Sequence, residues 1–255
     1  MAPTAEPRAE LAPLPKADGS ATYSYSGYTV TSAVNGPIEA QRRDENPFEA
    51  LIDVNIRPAA GVGGTAERQL ESILQRALRQ LIPIRSFPRS MIQITLQITE
   101  TPENAYANTK VVQAQLNLAI IPALLHAAIL GLLTAAIPLK TIATAVTLAI
   151  PAADSGSGGI VVDPSTREAD TAKSLHVLGY TSSDDELLLA ESQGAFTVDE
   201  WETVLQTGQD VCCRAVRRGL DEDTAMTGSG LESASIRAFI RSVMETKIAA
   251  DNSWK

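Results

Sequence analysis

Strand-like and helix-like segments interleave in this 255-residue chain without the strict alternation of a doubly wound sheet, which places it in the α+β class. Two kinds of segment carry that reading. "SMIQITLQIT" alternates, with Ile92, Ile94 and Leu96 on one parity and Gln93, Thr95 and Gln97 on the other. "TAERQLESILQRALRQLI" instead sets Leu70, Ile73, Leu74, Ala77, Leu78 and Leu81 at helical spacing, with Arg and Glu on the opposite face. Apolar residues make up 44% of the chain and aromatics only 4%, so its core is aliphatic and rich in alanine.

The first twenty residues lack the basic start and apolar middle of a secretory signal, and their Pro and Ala content predicts a loosely ordered tail over 1–15. "ATYSYSGYTVTSAVNGPIEA" reads as two strands in a hairpin, broken near Gly27, and "FEALIDVNIRP" as a third strand ending at Pro58. "AAGVGGT" is a loop. Thr65 is the expected N-cap of the helix that follows, and Pro83 marks its end. After the strand at "SMIQITLQIT" comes a long apolar run. Next are a strand at "TIATAVTLAIP", a Gly/Ser hairpin at "AADSGSGG", and strands at "IVVDP", "SLHVLGY" and "ELLLAES". Thr197 and Glu200 stand at capping-box spacing, so a helix begins there. A second amphipathic run follows a "TGSG" break, which predicts a main domain over 16–226 and a C-terminal helical extension over 227–255.

Net charge is −9, but residues 1–150 hold 12 acids and 12 bases while 151–255 hold 18 acids and 9 bases. The excess therefore lies wholly in the second part. The first part gathers Arg42, Arg43, Arg57, Arg68, Arg76, Arg79, Arg85 and Arg89 in about fifty residues, either as a solvated face with surface ion pairs or as a contact for phosphates. Cys212 and Cys213 are chain neighbours, unsuited to a mutual disulfide, which points to a reduced, intracellular setting and leaves no zinc-ligand spacing. His126, inside the apolar run, and His176, in an alternating strand, each read first as buried, hydrogen-bonded structural residues, with catalysis the lesser alternative. No Gly-x-Ser-x-Gly elbow is present. "GVGGTAER" could hold a phosphate at a helix N-terminus, but it lacks a Walker lysine and reads first as a simple turn with Thr65 as N-cap. The acidic clusters Asp184-Asp185-Glu186 and Asp221-Glu222-Asp223 read as solvated turns.

The run from 116 to 139 carries no charge and is long enough to raise the question of a membrane span. Pro122 and Pro138 interrupt it, Asn117 and His126 lie inside it, and no aromatic belt flanks it. A core helix buried on all sides accounts for the same composition, so no membrane partner is expected.

Taken together, "KADGS", "GPIE", "RRDE" and "RPAAGV" in this order resemble the N-terminal half of RNase PH-type proteins. The helix "ERQLESILQRALRQLI", the segment "FPRSMIQITLQI" and the later "IVVDPS" extend the likeness from about Lys16 to Leu220. Within the family the chain is most similar to the eukaryotic RNA exosome ring subunits. The resemblance implies the RNase PH fold, two βαβα-like halves packed as one domain. It further implies a six-membered ring of RNase PH-like subunits with cap subunits and an associated nuclease. Such a ring encloses a channel for single-stranded RNA and works without a cofactor in 3′ processing and decay of RNA, ribosomal RNA included, in nucleus, nucleolus and cytoplasm.

Active relatives split RNA from its 3′ end with inorganic phosphate, held by a "QADGGTR"-like segment. That segment aligns here with Gln113 to Ala119, so the acid becomes Gln115, the glycines Leu116 and Asn117, the hydroxyl Leu118 and the arginine Ala119. A further phosphate-binding arginine falls on Ala66, although a shift of two offers Arg68. The first of two carboxylates survives as Glu168 or Asp170, and the second falls on Lys173 or Ser174. Losing one donor to a developing charge typically costs about a hundredfold or more, and such sets fail as units. The resemblance therefore implies a subunit without phosphorolytic activity, with no catalytic or metal-binding residue, in which Arg42, Arg43, Arg85 and Arg89 contact RNA or neighbouring subunits. The rival expectation is a working phosphorolytic or metal-dependent 3′ exoribonuclease using Glu168 or Asp170.

Overall fold

A computed structural model describes residues 7–102, 117–152, 159–213 and 236–253. They form two sheets with a helix held between them. The first sheet has strand order β1-β2-β3-β5-β4, with β1 at Arg8–Leu11, β2 at Gly19–Tyr25, β3 at Tyr28–Glu39, β4 at Leu51–Arg57 and β5 at Ser90–Glu100. Only the β4–β5 pairing is parallel. Within the stretch expected as a tail, Arg8–Leu11 pairs with Ala21–Ser24 as an edge strand. Ser26 and Gly27, both at positive φ, make the tight β2–β3 turn that matches strand twist.

Alternation along β3, β4 and β5 puts Val30, Val34, Ile52, Val54, Ile56, Ile92, Ile94, Leu96 and Ile98 on one buried face. Against that face packs α1 (Thr65–Leu81), through Leu70, Ile73, Leu74 and Leu78. The N-cap of α1 is Gly64 rather than Thr65, which is the first helical residue. The Glu67 carboxylate reaches back to accept the Gly64 N–H at 2.6 Å. Ile82 caps the other end and Pro83 follows, so the chain cannot continue as helix.

The second sheet, order β7-β6-β8-β9, is antiparallel throughout: β6 at Ala143–Pro151, β7 at Val161–Val162, β8 at Ala172–Thr181 and β9 at Leu187–Gly194. Between the sheets runs α2 (Ile121–Thr134), touching β2 and β3 on one side and β6 on the other. Every residue from Ile121 to Leu132 is buried. A helix covered on all sides has no polar face to display, which accounts for the apolar run, and each fully buried Leu or Ile contributes about 1.5–3 kcal/mol. Among the described residues no helix is long and apolar enough to cross a membrane. At Gly131 an added Cβ would lie 2.5 Å from the Ser32 side-chain oxygen, so glycine sets how closely α2 approaches β3.

His126, inside α2, accepts the Ala145 N–H at its Nε2 (3.1 Å), and burial drives its pKa down to about 3. It is a neutral tie between helix and sheet. The outer face of the second sheet carries a smaller core, Val146, Leu148, Leu178 and Tyr180, covered by Val204, Cys212 and Cys213 of α4 (Val198–Cys213). That helix starts at the Thr197–Glu200 capping box. A short helix, α3 (Thr166–Thr171), starts at a second box, Ser165 with Glu168. In the C-terminal extension, α5 (Ile236–Asp251) buries Ile240 and sets Phe239 edge-on to Tyr23 at 6.3 Å. The Gly/Ser hairpin at 153–158, the Asp221-Glu222-Asp223 cluster and the boundary at 226/227 lie outside the described residues.

Candidate functional site

Where the two halves meet, five segments enclose a cleft of about 460 Å³. The β2–β3 turn supplies Ser26 and Tyr28, the turn entering α2 supplies Asn117, Leu118 and Ala119, and α3 supplies Ala169 and Asp170. The start of β8 adds Lys173 and Ser174, and the end of β9 adds Gln193 and Gly194. Asn117 donates its Nδ2–H to the Tyr28 hydroxyl at 3.3 Å, which ties the α2 entry to the hairpin. Leu118 is buried in the core and Ala119 presents only a methyl, so among the described residues no guanidinium stands on this wall.

The opposite wall is polar but already engaged. Lys173 Nζ lies 2.6 Å from the Glu200 Oε1, and that hydrogen bond, with the Thr197 N–H, holds the Glu200 carboxyl below its usual range. Ser174 shares a hydrogen bond with His176 Nε2 (2.9 Å), whose Nδ1 meets the Ser192 hydroxyl at 2.8 Å. The His176 ring packs edge-on to Phe196, and burial lowers its pKa in spite of nearby Glu200. Both ring nitrogens are thus spent on neighbouring serines. Glu168 faces away from chemistry: it accepts the N–H and the hydroxyl of Ser165, which depress its pKa, and it caps α3. Asp170 is exposed in the cleft and makes no ion pair among the described residues.

Behind the cleft a small cavity of about 20 Å³ is bordered by Tyr25, Ala119, Pro122 and Asp163. The Tyr25 hydroxyl donates to the Asp163 Oδ2 at 2.5 Å, joining the first sheet to the turn after β7. Burial pushes the Asp163 carboxyl up, partly offset by the bond from Tyr25. Sequence reading passed over this pair, because its members are 138 residues apart.

Of the expected degenerate phosphate site, the structure brings Asn117, Leu118, Ala119 and Ser174 together around the cleft. Gln115 and Leu116 lie outside the described residues. Ala66 is buried in the first turn of α1 and does not line the cleft, nor does the exposed Arg68. Among the described residues no group of three or more His, Cys, Asp or Glu could hold a metal ion.

The four candidate arginines belong to two other loops, at the far end of β3. Arg42 and Arg43 lie in the loop after β3, Arg85 and Arg89 in the segment before β5, and all four are exposed. Backbone bonds staple the loops together: Arg89 N–H to Asn46 C=O (3.1 Å), Ala40 N–H to Arg89 C=O (3.3 Å) and Ala50 N–H to Ile84 C=O (2.9 Å). Arg89 also meets Glu45 at 3.3 Å. Eleven steps of β3 separate Tyr28 at the cleft from Glu39 at these loops, about 36 Å at ~3.3 Å per residue.

Two family profiles divide the chain as the two sheets do: the 3′ exoribonuclease family, domain 1, matches residues 7–138, and domain 2 matches residues 139–211. The chain belongs to the RNase PH family. An exosome complex component, RRP46 of Saccharomyces cerevisiae, is 31% identical over 210 residues, 80% of this chain and 89% of that protein. The crystal structure of rice (Oryza sativa) Rrp46 superposes with a TM-score of 0.72 at 22% identity, covering 96% of this chain and 98% of the other. A subunit of the Archaeoglobus fulgidus exosome with RNA bound to the active site gives 0.63 at 17% identity, over 84% and 88%. The fold is thus the RNase PH fold, with the cleft at the seam between the two RNase PH halves.

Proposed function

We propose that this chain is a non-catalytic RNase PH-like subunit of an RNA exosome core ring. One observation carries the reading. The cleft at the seam of the two halves offers a phosphate no free cation among its described residues, since Leu118 and Ala119 form one wall and Lys173 is held by Glu200 on the other. Attack by phosphate needs donors aimed at the incoming anion and at the charge developing on the leaving oxygen. Among the described residues the cleft supplies no such cation, and on this reading the subunit contributes shape and RNA contact instead.

On this reading the partners are other RNase PH-like subunits in a six-membered ring, cap subunits, an associated nuclease, and single-stranded RNA. The likeness to named exosome components supports it. Arg42, Arg43, Arg85 and Arg89 contact the RNA backbone, a sequence-independent interaction suited to a channel that accepts any transcript. The places of work are nucleus, nucleolus and cytoplasm, and the task is 3′-to-5′ processing and turnover of RNA, including ribosomal RNA.

The test incubates the purified chain, alone and in a reconstituted ring, with 3′-tailed RNA and inorganic phosphate. The expected result is no release of nucleoside diphosphates, together with a native mass of ring size. Phosphorolysis abolished by Arg68→Ala would overturn the proposal. Asp170, exposed in the cleft, favours a second reading, a metal-dependent nuclease. Magnesium-stimulated cleavage lost in Asp170→Asn would establish it.

A further inference from the structure

The two stapled loops carry an exposed aromatic as well as arginines. Phe48 is 79% exposed, although the chain has only four phenylalanines. Its loop is not slack. The Phe48 N–H donates to the Asn46 side-chain oxygen at 3.1 Å, and the residues two places to either side, Asn46 and Ala50, are hydrogen-bonded to Arg89 and Ile84 of the facing segment. Arg89 adopts a left-handed φ of 59°, and its N–H and C=O are both bonded across the loop pair. A ring held outward on a pinned loop loses little freedom when something flat settles on it.

The surrounding charge says what that would be. Among the described residues Arg42, Arg43 and Arg85 make no ion pair, whereas Glu45 and Glu49 are taken up by Arg89 and Arg79. Asp44 and Glu39 are the remaining carboxylates nearby, so the loops are locally basic in a chain of net charge −9. A protein partner anchored by Phe48 would call for an apolar surround, but apart from Ile38, Pro47 and Pro88 the exposed residues from 38 to 47 and from 85 to 89 are polar or charged. An aromatic face on loops that also carry unpaired guanidiniums suits a nucleic-acid strand, whose phosphates meet the cations while a base stacks on the ring.

We propose that Phe48 is a stacking platform for an unpaired RNA base, held beside the phosphate contacts of Arg42, Arg43 and Arg85. It rests on the reading of these arginines as RNA contacts and adds a demand for single strands, because a base within a duplex has no free face. Stacking of this kind is sequence-tolerant.

The test measures binding of a fluorescent oligouridine to the full chain and to the reconstituted ring. Phe48→Ala is expected to weaken binding roughly five- to a hundredfold with an unchanged salt slope, since a stacked base releases no counterion. Phe48→Trp retains affinity and its added emission is quenched by oligouridine. A triple alanine variant at Arg42, Arg43 and Arg85 flattens the logarithmic salt slope by about 2. If that triple variant weakens binding while Phe48→Ala binds like the parent, stacking is wrong and the basic reading stands. If the triple variant changes neither affinity nor slope, the basic reading falls and takes stacking with it. Loss of ring assembly in Phe48→Ala with unaltered RNA affinity of the chain alone overturns the proposal in favour of a subunit contact.

Discussion

Lys173 Nζ sits 2.6 Å from the Glu200 Oε1, so a carboxylate in the first turn of α4 already occupies the cation on the cleft wall. Among the described residues the cleft thus offers inorganic phosphate only a cation that is already paired. Millimolar phosphate is expected to shift Tm no more than sodium chloride of equal ionic strength, because a ligand stabilises only in proportion to its binding of the folded state. A phosphate-specific rise of several degrees would contradict the account. Glu200 also accepts the Thr197 N–H at 2.7 Å, so Glu200→Ala should lower Tm more than Lys173→Ala, and thermal unfolding of the two variants ranks them directly.

The close approach of α2 to β3 at Gly131 gives a second prediction. A Cβ there would lie 2.5 Å from the Ser32 side-chain oxygen and 3.0 Å from Val34 Cγ2, both of them buried. Gly131→Ala should cost about 1–3 kcal/mol by overpacking. Combining it with Ser32→Ala removes the nearest atom and should recover part of the loss. Urea denaturation of the two single variants and the double variant measures the coupling, and strict additivity would show that the clash is relieved elsewhere.

Local features were legible from sequence for physical reasons. Leucine spacing marks α1, parity marks β5, and Thr197 with Glu200 marks the start of α4, since each signal spans only a few residues. The same S-x-x-E spacing at Ser165 and Glu168 was available and would have revealed α3, but the run after it is short and has no apolar stripe. The cleft is another matter. Ser26 and Gln193 share a wall only because α2 lets two sheets close on it, and no spacing reports that. Nor does it report that Arg42 and Arg85 end up on neighbouring loops, or that the length of β3 carries them away from Asn117.

Acid should loosen the seam through His126. Its pKa is held at about 3 in the fold, against an ordinary value of 6.5, so the unfolded chain binds a proton that the folded chain refuses. That contribution to stability is complete above pH 6.5 and falls by about 1.4 kcal/mol per pH unit as pH drops toward 3. Asp163 works in the opposite sense: its raised pKa favours the fold at low pH and costs stability as pH rises above 3.8. His126→Gln, which keeps a side-chain acceptor for the Ala145 N–H, should flatten the profile between pH 6.5 and 4. Denaturant midpoints across that range decide it, and an unaltered slope would assign the acid sensitivity to other groups.

Arg237 adds a polar latch to α5, which buries Ile240 fully and packs Ile236, Phe239, Val243 and Met244 partly against the core. The Arg237 side chain is 12% exposed, donates to Asp185 at 2.9 Å and to the Thr181 C=O at 2.7 Å, and points a further N–H at Cys213 Sγ. Arg237→Met retains much of the stem but removes the guanidinium's hydrogen bonds to the Asp185 carboxylate and to the Thr181 carbonyl at the strand end. Hydrogen bonds to a charged group are worth about 1.5–3 kcal/mol, a sizeable share of what holds a helix with one fully buried and four partly buried apolar residues. The variant should therefore lose amide-exchange protection over 236–251 while β6 and β8 keep theirs. Phe239 leaves Tyr23 in the same step, so tyrosine near-ultraviolet dichroism should fall with it. Uniform loss of protection across both sheets would mean that α5 unfolds only with the whole domain, and that the extension belongs to the core rather than being latched onto it.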